Sequence, residues 1–217
     1  MRQFDFLPDA IKILPRDKRG FPVPAFAEWI DGEPDFRVVK QGWRENCVNR
    51  RLCWICGCRM GDRKWFVTGP MCTITRTTSE PPCHAQCAEF AVRVCPFLTM
   101  PLAKRNERDL PEDRFIPGIH VDRNPGVACV WETRHFKPFR TGDSWLIEMG
   151  DPLNMKAWAQ GREATRAELV HSIETGLPAL AEAAAKEGEQ ALLELRRVIS
   201  GYRVDVLDRW YPKDVAA

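Results

Sequence analysis

The sequence predicts an α+β fold, strand-rich toward the N-terminus and helical toward the C-terminus. Three observations predict it. Short strand-like segments, separated by turn residues and long loops, recur through the first half and again at 126–149. From about residue 163 the apolar spacing becomes helical. Between these regimes lie two dense groups of sulfur and imidazole donors, "RRLCWICGCRMG" (50–61) and "PPCHAQC" (81–87).

Composition narrows the class. A chain of 217 residues with 44% hydrophobic and 29% charged residues can bury a sizeable core as one large domain or two small ones. Its 14 glycines and 17 prolines predict short elements and long connections. The net charge of +2 excludes a chain that is basic throughout. The charge is uneven, however. Residues 40–76 carry eight basic and two acidic side chains, whereas residues 160–200 carry five basic and seven acidic ones. A basic stretch coinciding with the cysteines points to an anionic partner, nucleic acid or an acidic protein surface; a solvated face is the alternative.

The opening "MRQFDFLPDA" lacks the apolar run of a signal peptide. No segment reaches the roughly 18 apolar residues of a membrane span. "AEFAVRVCPFL" comes nearest and is interrupted by Arg93. The expectation is therefore a cytoplasmic protein with no membrane contact. In that compartment thiols stay reduced, so nine cysteines read as metal ligands or buried thiols rather than disulfides.

Taken in order, "AFAEWIDGEPDFRVV" predicts strands over 25–30 and 35–39, joined at Asp31-Gly32. "KQGWRENCVNRR" reads as a helical turn or loop leading into the first cysteine group. "KWFVTGPMCTIT" predicts a hairpin, strands 64–68 and 71–75 around Gly69-Pro70. Pro81 and Pro82 open a helix whose apolar or cysteine positions 83, 87, 90, 91, 94 and 95 keep helical spacing until Pro96. Residues 101–125 read as a loop or linker. "GVACVWETRHF" and "SWLIEMG" predict strands 126–132 and 144–149, paired as a second small sheet. "ATRAELVHSIETG" starts at the capping box Thr165 and Glu168 and ends at Gly176. Pro178 opens a further helix ending near Gly201. Three regions follow, 1–100, 101–160 and 161–217, or one domain if the helices pack back onto the sheet.

The donors themselves imply chemistry. Cys53-x-x-Cys56-Gly57 places two thiolates on a tight turn, the knuckle that tetrahedral zinc favours at about 2.3 Å per Zn–S bond. His84 and Cys87, three apart on the first turn of the predicted helix, face one way. Cys83 competes with His84, and Cys58 competes on the knuckle, where a Cys-x-Cys pair bites poorly on a tetrahedron. The favoured set is Cys53, Cys56, His84 and Cys87 around a structural zinc ion. Cys47, Cys72, Cys95 and Cys129 read as small core hydrophobes. Arg50, Arg51, Arg59, Arg63 and Lys64 are the candidate phosphate contacts, with Trp54 or Trp65 available for stacking or as cover for the metal.

Knuckle, hairpin and helix start together resemble a treble-clef zinc finger over residues 50–95. That arrangement also underlies HNH-type nucleases, which place a histidine base on the hairpin; residues 64–75 hold no histidine. His120, with Asp122, and His135 stand apart from the cluster, and His171 reads as a helix-surface group. Nucleophile elbows and glycine-rich phosphate loops are absent, so neither an enzyme nor a small-molecule substrate is indicated.

With "RLCWICG", "TGPMC", "SEPPCHAQCAEF", "CPFL", "WAQGREATRAEL" and "SIETGLPAL", the chain resembles a family of uncharacterised bacterial and bacteriophage proteins over about residues 19–195. The resemblance implies that Cys53, Cys56, His84 and Cys87 stand at metal positions, and Cys58 and Cys83 depart from the pattern. It implies no activity. The sequence thus predicts a zinc-stabilised β-rich N-terminal half with an embedded treble clef, a small β-hairpin region and a C-terminal helical pair. The function it favours is non-enzymatic, a zinc protein contacting nucleic acid or an acidic partner. The alternative is a protein–protein adaptor or host-takeover factor, and an atypical HNH-like nuclease is least favoured.

Overall fold

The computed structural model describes residues 7–101, 103, 104, 106, 108, 125–142 and 144–212. Most of the expected 101–125 linker, with His120 and Asp122, lies outside the described residues. The elements run α1 (Asp9–Lys12), β1 (Ala27–Ile30), β2 (Glu33–Val39), α2 (Trp43–Arg50), β3 (Lys64–Thr68), α3 (Pro70–Thr75) and β4 (Thr77–Thr78). They continue with α4 (Ala85–Val94), α5 (Pro96–Thr99), β5 (Ala128–Thr133), β6 (Phe136–Thr141), β7 (Ser144–Met149), β8 (Asn154–Ala159) and β9 (Arg162–Glu163). The C-terminal part is α6 (Arg166–Glu187), α7 (Glu189–Tyr202), a π-helical turn (Arg203–Leu207) and α8 (Asp208–Trp210). The fold is α+β. None of the described helices is long and apolar enough to cross a membrane.

Among the described residues the strands form antiparallel sheets in the orders β1-β2, β3-β5-β8-β9 and β4-β7-β6. The first hairpin turns at Asp31 and Gly32, both with positive φ, a turn whose twist suits the strands it joins. Three expectations are corrected. Residues 71–75 are not a strand: Pro70 opens helix α3, which buries Pro70, Thr73 and Ile74 at helical spacing. The β-branched residues Thr73, Ile74 and Thr75 favour a strand locally, and packing overrides them. β3 therefore pairs with β5 instead of closing a hairpin. Strands 126–132 and 144–149 do not pair with each other either; the first lies in the β3 sheet and the second between β4 and β6.

The third correction concerns the C-terminal helices. α6 runs through Gly176 and Pro178 and stops only at Gly188. Gly176 is there for clearance, since a Cβ would come within 2.9 Å of the Met71 sulfur on α3. The Thr165–Glu168 capping box does start this helix, with the Glu168 amide donating to the Thr165 hydroxyl.

Three apolar clusters lie among the described residues, the smallest formed by Val92, Ala128 and Trp158, and the other two organise these elements. The larger joins Phe66, Trp131, Ile147, Met149 and Met155 of the sheets to Leu169, Ile173 and Tyr202 of the helices. The smaller surrounds the cysteines, with Ile11, Val39, Cys47, Trp54, Met60 and Ala88. Arg44 of α2 ties the cysteine region to the β4-β7-β6 sheet. Buried to 7% exposure, it donates to the carbonyls of Ser79 (3.1 Å) and Trp145 (2.7 Å), and its guanidinium lies 4.0 Å from the Trp145 ring centroid.

Candidate metal centre

Backbone pairing builds the first half of the site. Leu52 bridges Arg59, the Cys53 amide donates to Cys58 O (2.8 Å), and Met60 N donates to Arg51 O (2.9 Å). This miniature hairpin turns at Gly57. Its φ of +76° disfavours any side chain, and a Cβ there would come within 3.3 Å of the Trp43 ring. The Cys56 amide donates to the Cys53 sulfur at 3.4 Å, so the turn aims its N–H groups at sulfur.

The second half begins helix α4. His84 is its N-cap residue, extended at φ −75° and ψ 156°, and Cys87 lies on its first turn. The halves meet through three backbone hydrogen bonds: Trp54 N to Pro82 O (3.0 Å), Trp65 N to Cys83 O (3.1 Å) and Cys83 N to Trp65 O (2.7 Å). Strand β3 does the joining, with residue 83 as an isolated bridge partner in place of the expected hairpin.

The outcome is one tight group of donors. The ligand atoms of Cys53, Cys56, His84 and Cys87 all lie within 4.8 Å of one another, and the group can hold a metal ion. His84 Nδ1 is 3.4 Å from the Cys56 sulfur and 3.9 Å from that of Cys87. A tetrahedral ion with N and S ligands at about 2.0–2.3 Å sets such donors about 3.5 Å apart. The other ring nitrogen, Nε2, donates to the Arg59 carbonyl at 3.1 Å, which fixes the tautomer that leaves Nδ1 free to ligate. Sequence reasoning missed that carbonyl because a backbone acceptor carries no residue signature.

The four donors perturb one another strongly. Hydrogen bonding to Cys53 and then Cys87 holds the Cys56 thiol far below its ordinary range. The sulfurs of Cys53 and Cys56 push His84 up to about 11. The same contacts to Cys53 and Cys56 push the Cys87 thiol far above its ordinary range, so the crowded donors hold their protons unequally, and binding an ion releases those protons.

The two competitors stay outside the group. Cys83 is buried at 2% exposure, and its thiol donates to Trp65 O (3.2 Å), on the strand side of the bridge. Cys58 is exposed, its sulfur 3.9 Å from Cys56 O. Cys47 and Cys129 are buried and Cys72 and Cys95 half-buried. Trp54 is core rather than a stacking platform, at 4% exposure and stacked 4.8 Å from Phe26. Trp65 is half-buried on β3. His135 and His171 are exposed and remote from the donor group.

The basic residues divide. Arg50, Arg51 and Arg59 are exposed, and their side chains make no hydrogen bond or ion pair among the described residues. Arg63 is exposed but paired with the buried Glu132. Lys64 is engaged within the chain. It is 7% exposed and donates to Gly61 O (2.9 Å) and Asp62 O (2.8 Å), closing the turn that precedes β3.

No protein-family model, curated protein or solved structure matches this chain.

Proposed function

We propose that this is a non-enzymatic zinc-binding protein whose ion is structural and whose exposed knuckle arginines contact the phosphates of nucleic acid. The observation that carries the metal assignment is the convergence of Cys53, Cys56, His84 and Cys87 within 4.8 Å. Three thiolates and one neutral imidazole suit tetrahedral zinc better than the hard cations, which take oxygen ligands. Four protein donors fill that tetrahedron and leave no position for an activated water. Structural zinc supplies about 10–16 kcal/mol. That equals or exceeds the roughly 5–15 kcal/mol of a whole domain. In this role zinc holds the knuckle to the start of α4.

Arg50, Arg51 and Arg59 support the choice of partner. They are exposed cations on the knuckle and its flanks, unengaged by acids among the described residues. Three thiolates with Zn²⁺ leave a single net negative charge, which Arg51 and Arg59 more than offset at the surface. The test is fluorescence anisotropy of a labelled DNA duplex with the full chain as purified, after chelation, and after zinc is restored. Binding that vanishes on chelation and returns with one equivalent of zinc supports the whole reading. Binding indifferent to chelation separates the partner from the metal, and no binding at about 50 mM salt removes nucleic acid as the partner. The adaptor reading rests on Trp29 and Ile30, 39% and 37% exposed at the β1–β2 turn. It gains if duplex binding is absent.

A further inference from the structure

A second group of cations, outside the metal site, lies along the edge of the β4-β7-β6 sheet. Among the described residues β6 pairs with β7 alone, so none of them covers its outer edge. Arg134 and His135, in the turn before it, and Lys137 and Arg140 within it are all exposed. No acidic residue occurs from Arg134 to Arg140. The side chains of Arg134, Lys137 and Arg140 make no hydrogen bond or ion pair among the described residues. Glu148 faces Lys137 in register on β7 without pairing to it. The turn is rigidly placed, because the Gly150 amide donates to His135 O at 2.9 Å and no Cβ fits at Gly150, where it would meet that oxygen.

Strand register connects this edge to the knuckle. Lys64 pairs with Thr133 at the end of the β3–β5 ladder, so Arg63 and Arg134 stand one step beyond it on neighbouring strands. Arg63 in turn follows the knuckle by four residues from Arg59. From Arg134 in the turn to Arg140 the chain extends the cationic edge by ~20 Å at about 3.3 Å per residue; Lys137 and Arg140, three apart on the strand, rise from opposite faces and flank that edge on both sides.

An open edge with cations has two candidate partners, an acidic peptide added as a further strand or a polyanion bound by side chains. Pro138 decides between them. Prolines within sheets sit where the missing N–H would have faced outward. The centre of this edge therefore lacks a donor, and an added strand would lose its middle hydrogen bond. Side-chain contact with a phosphodiester backbone needs no such donor.

We propose that Arg134, Lys137 and Arg140 form a second phosphate-contact line that extends the knuckle surface along β6, binding nucleic acid by its backbone. The choice of partner rests on the nucleic-acid reading above; the residues do not. The experiment uses the zinc-loaded full chain and a labelled 20-base-pair duplex, with anisotropy read across about 50–200 mM salt. Each phosphate contact adds about 0.9 to the slope of log affinity against log salt. The triple variant Arg134→Ser, Lys137→Ser, Arg140→Ser should therefore lower the slope by about 2.7, with zinc content and circular dichroism unchanged. The triple variant Arg50→Ser, Arg51→Ser, Arg59→Ser tests the knuckle separately.

If only the knuckle variant loses slope, the β6 line is overturned and the reading above stands. If only the β6 variant loses slope, the β6 line stands and the knuckle assignment falls. Absence of duplex binding by the unaltered chain overturns both. Poly-glutamate competing as well as DNA at equal charge overturns the choice of a phosphodiester partner.

Discussion

Replacing Cys53 by serine and, separately, Cys83 by serine tests the ligand set against its nearest competitor. Both thiols are buried, at 0% and 2% exposure, and both flank the same junction of knuckle and helix. Only Cys53 belongs to the four-donor group. In Cys83→Ser the hydroxyl can take over the thiol's hydrogen bond to Trp65 O, 3.2 Å away, so the cost is that of a small polar exchange, about 1 kcal/mol. In Cys53→Ser one of three thiolates is lost. Removing even a partner that only supports a ligand costs 10–100-fold in metal affinity, so loss of the ligand itself costs at least about 100-fold. By mass action a hundredfold loss removes about 2.7 kcal/mol of metal-derived stability. The assay is competition against a chromophoric zinc chelator, with thermal melts at matched free zinc. Equal metal loss in the two variants, or full zinc affinity in Cys53→Ser, refutes the assignment.

Other outcomes follow from the packing. Gly176→Ala brings a Cβ to 2.9 Å from the Met71 sulfur, and the flexible methionine must shift, so the substitution should realise less than the roughly 1 kcal/mol that helix propensity alone offers. In a Met71→Ala background the same change should gain the full amount, and a denaturant double-mutant cycle reads the difference. Arg44→Ala removes two charge-assisted hydrogen bonds and the stacking on Trp145, and should cost about 2–4 kcal/mol with a changed near-ultraviolet spectrum. Glu168 is held at about 2, below its ordinary 4.5, by the Arg162 guanidinium and then the Thr165 amide. Because the folded value is depressed, its contribution is complete above about pH 4.5 and is lost as pH falls toward 2. The stability gap between the unaltered chain and Glu168→Gln should therefore shrink across that window in acid denaturation.

Several of these features were legible in the sequence because their cause is local. The Cys-x-x-Cys-Gly knuckle and the histidine–cysteine pair on a helix start are short-range patterns, and the structure brings those four side chains together. The capping box at Thr165 is likewise contained in four residues. What escaped depends on distant partners. β6 was hidden by Pro138, which an edge strand tolerates and a central one does not. β8 lies between β5 and β9, partners that no local spacing identifies. Residues 71–75 have strand-like composition, and only packing against α6, through the clearance left by Gly176, makes them a helix. Lys64 reads as an exposed cation until the 61–62 turn wraps its ammonium.

Native mass spectrometry of the full chain, with and without a strong chelator, tests the centre most directly. The account predicts one zinc ion per chain, released by chelator as the fully reduced polypeptide mass appears, and regained when zinc is added. A chain that stays metal-free in excess zinc, or whose mass is lowered by the hydrogens lost to sulfur–sulfur bonds among Cys53, Cys56 and Cys87, would contradict it.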